Sequence, residues 1–260
     1  MVDLPDTFSG QVEFIAVMAR YAIGVAVLRY TLMAVAAFVL CYVVLKKRFA
    51  SRHIQAGTAS GTQIAREFFW SLVSCTIFGA IDVLVTLLSV TGYMKARVVE
   101  APPAWPLFIG TVVGLLILHD AYFYWAHRFM HWRPVYRVAH ATHHRSIQPT
   151  PFAAFAFHPV EAVIEYAFVP LIALVAPVHV LPLLVFGLIM TAMNVYVHLG
   201  IELLPKWFVR SGIGRFAPTA THHDLHHTSP QYDFAFYFNV WDRLMGTIHP
   251  RYEDSFERVS

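Results

Sequence analysis

The chain has 260 residues, 57% of them hydrophobic and only 13% charged, with a formal net charge of +3. An ordinary soluble domain is about 45–50% apolar and about 25% charged, so this composition points to a protein embedded in a bilayer. The small net charge leaves no footprint of a nucleic-acid binder. Its two cysteines, Cys41 and Cys75, sit inside apolar runs and exclude a disulfide framework or a thiolate metal site.

In chain order, the first residues carry Asp3 and Asp6 where a cleavable signal would need a basic region, so the chain is expected to insert by its own apolar segments. Residues 11–45 are apolar apart from Arg20 and Arg29. A spanning helix takes about 20 residues. It is predicted at 26–45, with 11–25 as an extension or interfacial turn. The loop 46–67 holds Lys46, Lys47, Arg48, Arg52 and Arg66 against Glu67, which makes it cytoplasmic by the positive-inside rule. A second span is predicted from Phe68 to Tyr93, with Asp82 inside it; a charge there is a candidate functional group, and the reading favoured over that is a carboxyl that is protonated or paired with a neighbouring helix. The proline-rich turn 101–106 leads to a third span from Trp105, which loses its apolar character near His119. The runs 160–177 and 180–198 are broken at Pro177 and Pro182 and read as a hairpin that dips into the bilayer and returns at His198. The tail 205–260 is polar and cytoplasmic. The expected fold is an all-α integral membrane protein. Four to five transmembrane or half-spanning helices would carry a cytoplasmic helical cap with a histidine-rich di-metal site. The chain 1–260 reads as one domain, with N-terminal transmembrane helices in 1–115 and a catalytic histidine region in 116–250.

Three histidine clusters carry the chemistry. They are His127 and His131 in HRFMH, His140, His143 and His144 in HATHH, and His223, His226 and His227 in HHDLHH. Offsets of three and four place side chains on one face of a helix, so each cluster can aim several ring nitrogens at one point. Together they exceed what one tetrahedral ion uses, which implies two metals. His198 ends the hairpin and points back as a ninth ligand, and Asn194, one turn earlier, could reach a metal through a water. His119 lies eight residues before His127, about 80° around the helix, and is less well aimed. Asp120 lies nearly on the face of His127 and reads as an acceptor for a ligand N–H, a role Asp224 could share. His158 and His222 stand open between ligand and outer shell. His53, His179 and His249 read as packing or surface groups. All-nitrogen ligation suits Zn, Cu, Fe or Ni. The chain contains no HExxH and no Glu-x-x-His motif, which removes a zinc hydrolase and a carboxylate-bridged di-iron site. What remains is a histidine-rich di-iron centre with open positions for oxygen. A transporter or metal store would want ionisable residues through several spans, and the hairpin runs are nearly free of them.

These clusters and their flanks resemble the sterol desaturase/fatty acid hydroxylase superfamily of membrane di-iron oxygenases, whose pattern is HxxxH, HxxHH, HxxHH. The match covers about 115–250 and is nearest the C-5 sterol desaturase branch, through HDAYFYWAHRFMH, HATHHRSIQPTPFAAFAFHPVEA, HLGIELLP and WDRLMGT. The resemblance implies two Fe ions held by the eight clustered histidines, with His198 matching a further family position. Zinc is a possible substitute in a purified sample. It also implies O2, an external electron donor (cytochrome b5-like, or a ferredoxin and its reductase), and desaturation or hydroxylation of a sterol-like or other lipid. A carotenoid or fatty-acyl hydroxylase of the same superfamily is the alternative. The expected location is a bacterial inner membrane with the metal site facing the cytoplasm, or the ER membrane in a eukaryote. The aromatic stretch 122–125 and Phe152, Phe155 and Phe157 could line a lipid channel, with Thr150 and Pro151 at its mouth.

Overall fold

Local capping starts the long helices. The Thr7 hydroxyl accepts from the Gly10 N–H at 3.2 Å, and Ser60 accepts from Gln63 N–H at 3.1 Å. Each satisfies one of the amide groups a helix start leaves unpaired. In this computed structural model, which describes residues 5, 7–97 and 101–260, α1 spans Phe8–Phe38, α2 Gly61–Val90 and α3 Trp105–Met130. Then come α4 (Arg133–Val138), α5 (Pro159–Tyr166), α6 (Phe168–Val175), α7 (Val180–Val197), α8 (Ala220–Thr228), α9 (Val240–Met245) and α10 (Tyr252–Val259). Among the described residues there is no β-strand, only two isolated bridges. Asp3 and Asp6 lie outside the described residues.

Among the described residues, four helices are long and apolar enough to cross a membrane: Phe8–Val44, Gly61–Val90, Trp105–Met130 and Val180–Val197. Their outward faces expose Leu28, Leu32, Leu84, Ile117 and Leu188, as lipid contact requires. The all-α membrane architecture agrees with the sequence, but three boundaries differ. The first helix is continuous from Phe8 and closes with a π-turn, Val39–Val44, so 11–25 forms the extension and not the interfacial turn. Nothing in that stretch breaks a helix, since Arg20 has room to extend outward. The second helix starts at Gly61, seven residues before Phe68. It therefore takes in Glu67, which is fully buried and accepts from Gln63 and Thr150.

The hairpin differs too. Its first arm breaks between α5 and α6. Pro170 has no N–H for the Tyr166 carbonyl, and its ring crowds that carbonyl. Its turn then reaches the segment beyond the far end of α2, where Lys95 N donates to Ala173 O and Arg97 N to Val178 O (2.6 and 2.9 Å). The hairpin thus runs the depth of the bundle rather than dipping part-way.

Helices α1 and α2 touch at Gly79, where a Cβ would stand 2.7 Å from the Ile23 backbone. The core sits among Tyr30, Phe78, Phe155, Phe186 and Tyr166. Residues 148–155 are drawn under the histidine end by polar groups of α1 and α2. Tyr30 and Ser71 both donate to Phe152 O, and Gln63 donates to Gln148 O. Cys41 and Cys75 are buried and unpaired with each other.

Candidate metal centre

His127 lies in the last turn of α3 and His131 is its C-cap residue. His140 sits in the turn after α4, and His143 and His144 in a short 3-10 helix, His143–Arg145. The second cluster therefore converges without an α-helix. His198 is the C-cap of α7, and His223, His226 and His227 lie on α8. Thr219 caps α8 by accepting from His222 N–H at 3.1 Å, which fixes where that helix begins and so where its ring nitrogens point.

The nine histidines fall into two groups. His127, His131, His140, His144 and His226 form one, and His143, His198, His223 and His227 the other, with all donor atoms of a group within 4.8 Å of one another. In the first, Nε2 atoms stand 3.1 Å apart for His127 and His140, 3.3 Å for His127 and His131, and 3.1 Å for His144 and His226. In the second the separations are 3.2 Å for His143 and His198, 2.9 Å for His198 and His223, and 3.2 Å for His223 and His227. A neutral imidazole carries one N–H, so rings that meet through the same nitrogen cannot all be satisfied by protons. Two nitrogens each about 2.1 Å from one ion stand about 3.0 Å apart at a right angle. The donor set and its spacing fit one cation per group.

The electrostatics point the same way. Burial, then the neighbouring imidazoles, pushes His140, His143, His223, His226 and His227 well below the ordinary histidine range. Burial and then His127 push His144 down to about 3. Their lone pairs are therefore free at neutral pH.

The opposite ring nitrogens are held from behind. His140 Nδ1 donates to Glu161 Oε1 at 2.6 Å, His198 Nδ1 to Asn194 O at 2.8 Å, His127 Nδ1 to Phe234 O at 2.9 Å and His226 Nδ1 to Tyr232 O at 2.6 Å. Donating from Nδ1 leaves Nε2 as the lone-pair atom. The loop that offers Tyr232 O and Phe234 O is itself pinned. Asp242 accepts from Phe234 N and Ala235 N, both at 2.9 Å, and Asp233 takes a left-handed turn at φ 58°. A small cavity bordered by Phe123, Phe157, Glu165 and Asn194 touches histidines of both groups.

The other candidates lie elsewhere. His119 is outside both groups, enclosed by Phe123, Phe168, Phe186, Phe236 and Tyr237. His158 caps α5 by accepting from Val160 N–H. His222 faces Asp233 and Asp242 at 3.4 and 3.3 Å and turns from the two groups. Asp120 accepts from Tyr237 N and Phe238 N, and Asp224 from Gln55, so neither receives a histidine N–H. Asn194 supports His198 through its carbonyl, while its side chain borders the cavity. Asp82 is paired with a neighbouring helix, by accepting from Tyr166. Phe123 and Phe157 reach the site, whereas Phe152 and Phe155 pack against Phe68 and Phe78; Thr150 donates to Glu67 and borders a separate small cavity with Gln55, Gln148 and Asp224. Sequence reasoning missed Glu161. Its signal was a carboxylate in the first turn of a short helix that also carries Glu165, close behind the second cluster.

The profile of the fatty acid hydroxylase family matches residues 112–247, which takes in all nine histidines. The chain belongs to the fatty acid hydroxylase family. This family member is 30% identical to lathosterol oxidase of Rattus norvegicus over 191 residues, 72% of the chain and 62% of the relative. Lathosterol oxidase of Mus musculus matches over the same extent, also at 30%. Delta(7)-sterol 5(6)-desaturase of Gibberella zeae is 29% identical over 198 residues, 75% of the chain and 54% of the relative. The chain thus spans between about half and two thirds of the length of these curated relatives, and its likeness is to the C-5 sterol desaturase branch. No solved structure matches it.

Proposed function

We propose that the chain is an O2-dependent lipid oxidase holding two iron ions, one in each histidine group, within a single membrane-embedded unit. The observation that carries this is the meeting of nine histidine Nε2 atoms, eight of them on buried rings, around two points. Bound iron would supply the activation of dioxygen that breaking an unactivated lipid C–H bond requires. The protein supplies position and exclusion of water. Glu161 and the Phe234, Tyr232 and Asn194 carbonyls orient four rings, and eight of the nine rings are buried. Phe123 and Phe157 give the cavity an apolar wall for a lipid carbon, with Glu165 and Asn194 as its polar neighbours.

The basic loop packs at the histidine end, where Gln55 donates to Asp224 and His53 pairs with Ile201. That supports a cytoplasmic site, open to an electron donor such as a cytochrome b5-like protein or a ferredoxin with its reductase. The names of the relatives favour a sterol-like substrate over a carotenoid or a fatty acyl chain.

Anaerobic purification followed by metal analysis tests the reading. Close to two irons per chain is the expected result, and one tightly held zinc with no iron after reconstitution would sink it. Changing His143 to Ala should abolish lipid oxidation while the protein still inserts in the membrane; retained oxidation would remove His143 from the ligand set.

A further inference from the structure

A cavity of about 270 Å³ lies inside the membrane-spanning bundle, bordered by α1, α2, α5, α6 and α7, by Ala96 and Arg97, and by none of the nine histidines. Its walls are mostly apolar, and Tyr21, Val25 and Leu184, which line it, are also exposed on the outer surface, so it can be entered from the bilayer.

The polar groups on its border are Tyr21, Arg29, Asp82, Thr86, Arg97 and Tyr166; Thr86 donates to the Asp82 carbonyl, and Arg97 has a partner of its own. Tyr166 donates to both Asp82 oxygens, at 3.0 and 3.1 Å. Arg29 forms no hydrogen bond or ion pair among the described residues, and its Nε is buried without a partner. Gly187 makes room for it, because a Cβ there would stand 2.6 Å from Arg29 Nη1. A guanidinium inside a membrane span is expensive unless something accepts its hydrogen bonds.

The missing partner has a definite chemistry. With Arg97 engaged elsewhere, Arg29 and Asp82 offset one another, so a charged ligand between them would meet a like charge on one side. A hydroxyl suits both, because its oxygen accepts from the guanidinium while its proton goes to the carboxylate. We propose that this cavity binds an uncharged lipid by its hydroxyl, clasped between Arg29 and Asp82. Tyr166 holds the carboxylate in place, and the apolar body of the lipid lies along the α1 and α7 walls. Met190 of the cavity wall is one turn from Asn194 at the histidine cavity, so such a lipid can extend toward the metal centre. Gly187 lies eleven residues before His198, about 16 Å along the helix, which sets the depth of the clasp. The clasp binds such a lipid whether or not the same molecule is the one oxidised.

Binding of tritiated 1-hexadecanol to the full-length protein in detergent micelles tests this. Saturable binding is expected, displaced by unlabelled hexadecanol or by cholesterol at least tenfold better than by hexadecane or hexadecanoate. Which of the two hydroxyl lipids displaces better identifies an open-chain or a ring lipid, and either result supports the site. Arg29→Met should weaken binding tenfold or more. Asp82→Asn, which leaves the guanidinium uncompensated, should turn the preference toward hexadecanoate, an effect that misfolding cannot mimic. Ala22→Phe, which fills the cavity without touching the clasp, should abolish binding. His143→Ala should bind hexadecanol like the wild type, which separates failure of this site from failure of the metal reading. Equal displacement by hexadecane or hexadecanoate, or unchanged binding in both Arg29→Met and Asp82→Asn, would overturn the proposal.

Discussion

The imidazole of His140 is gripped from both sides. Its Nε2 meets the first histidine group, and its Nδ1 donates to a carboxylate with no other partner on its second oxygen. Such carboxylate–histidine pairs fix the ring and raise its basicity, and their loss typically lowers metal affinity about 10- to 100-fold. Glu161→Gln keeps the shape and an acceptor but removes the charge. A fall of that order is expected when the metal is titrated away with a chelator, and an unchanged affinity would show that geometry alone suffices. The nine convergent histidines were legible because three- and four-residue offsets, and the end of a hairpin, say where a ring can point. Glu161 was not, since it meets His140 across 21 residues of irregular chain. Nor could spacing sort out His119, His158 and His222. Chemically they match the nine, and only tertiary placement among aromatic rings, at an α5 cap and beside two aspartates sets them apart.

At the scale of elements, the segment from Tyr232 to α9 works as a brace for the first histidine group. Asp242 binds Phe234 N, Ala235 N and the Thr247 hydroxyl and faces His222 at 3.3 Å, all without solvent. Burial opposes charge on His222, but Asp233 and Asp242 outweigh it and hold its pKa above the ordinary value. Breaking one side of a buried ion pair costs about 3–5 kcal/mol. Asp242→Ala should therefore lower thermal stability markedly. It should also release metal from the His127 and His226 group before the other, because the carbonyls behind those two rings lose their support. Metal content at one-half of wild type, with the second group loaded, is the signature to look for; both groups emptying together would show that the brace serves the whole fold instead. Hydropathy located the long helices here, as apolar length is what a bilayer selects. It placed their ends poorly, since Ser60 as a cap and Glu67 as a buried helical residue are polar and read as loop. The α5–α6 break and the full depth of the hairpin depend on Pro170 and on pairing with residues 95–97, contacts that no periodicity encodes.

For the whole molecule, the two histidine groups tie together α3, the 140–144 turn, the end of α7 and α8. A cation in each group would act as a staple, and its binding free energy becomes folding free energy. Acid should loosen it in a calculable direction. In the unfolded chain each histidine takes up a proton near about pH 6.5. In the folded, metal-free protein burial and neighbouring rings hold these groups well below that, with His144 near 3 and His198 near 4. Below about pH 6.5 the unfolded state therefore binds more protons, and stability falls as pH falls. His222, Glu202, Asp224 and Asp233, all shifted upward, oppose this but are outnumbered by the histidines; each adds stability on acidification that fades as pH rises through its folded value. The melting temperature of metal-free protein should then drop steadily from pH 7.5 to pH 5. Metal-loaded protein should stay higher across that range, then fall abruptly where protons displace the metal from the same lone pairs. A metal-free melting temperature that rises on acidification would mean that the rings are already protonated in the fold, a state in which nine clustered imidazoles could not hold two cations.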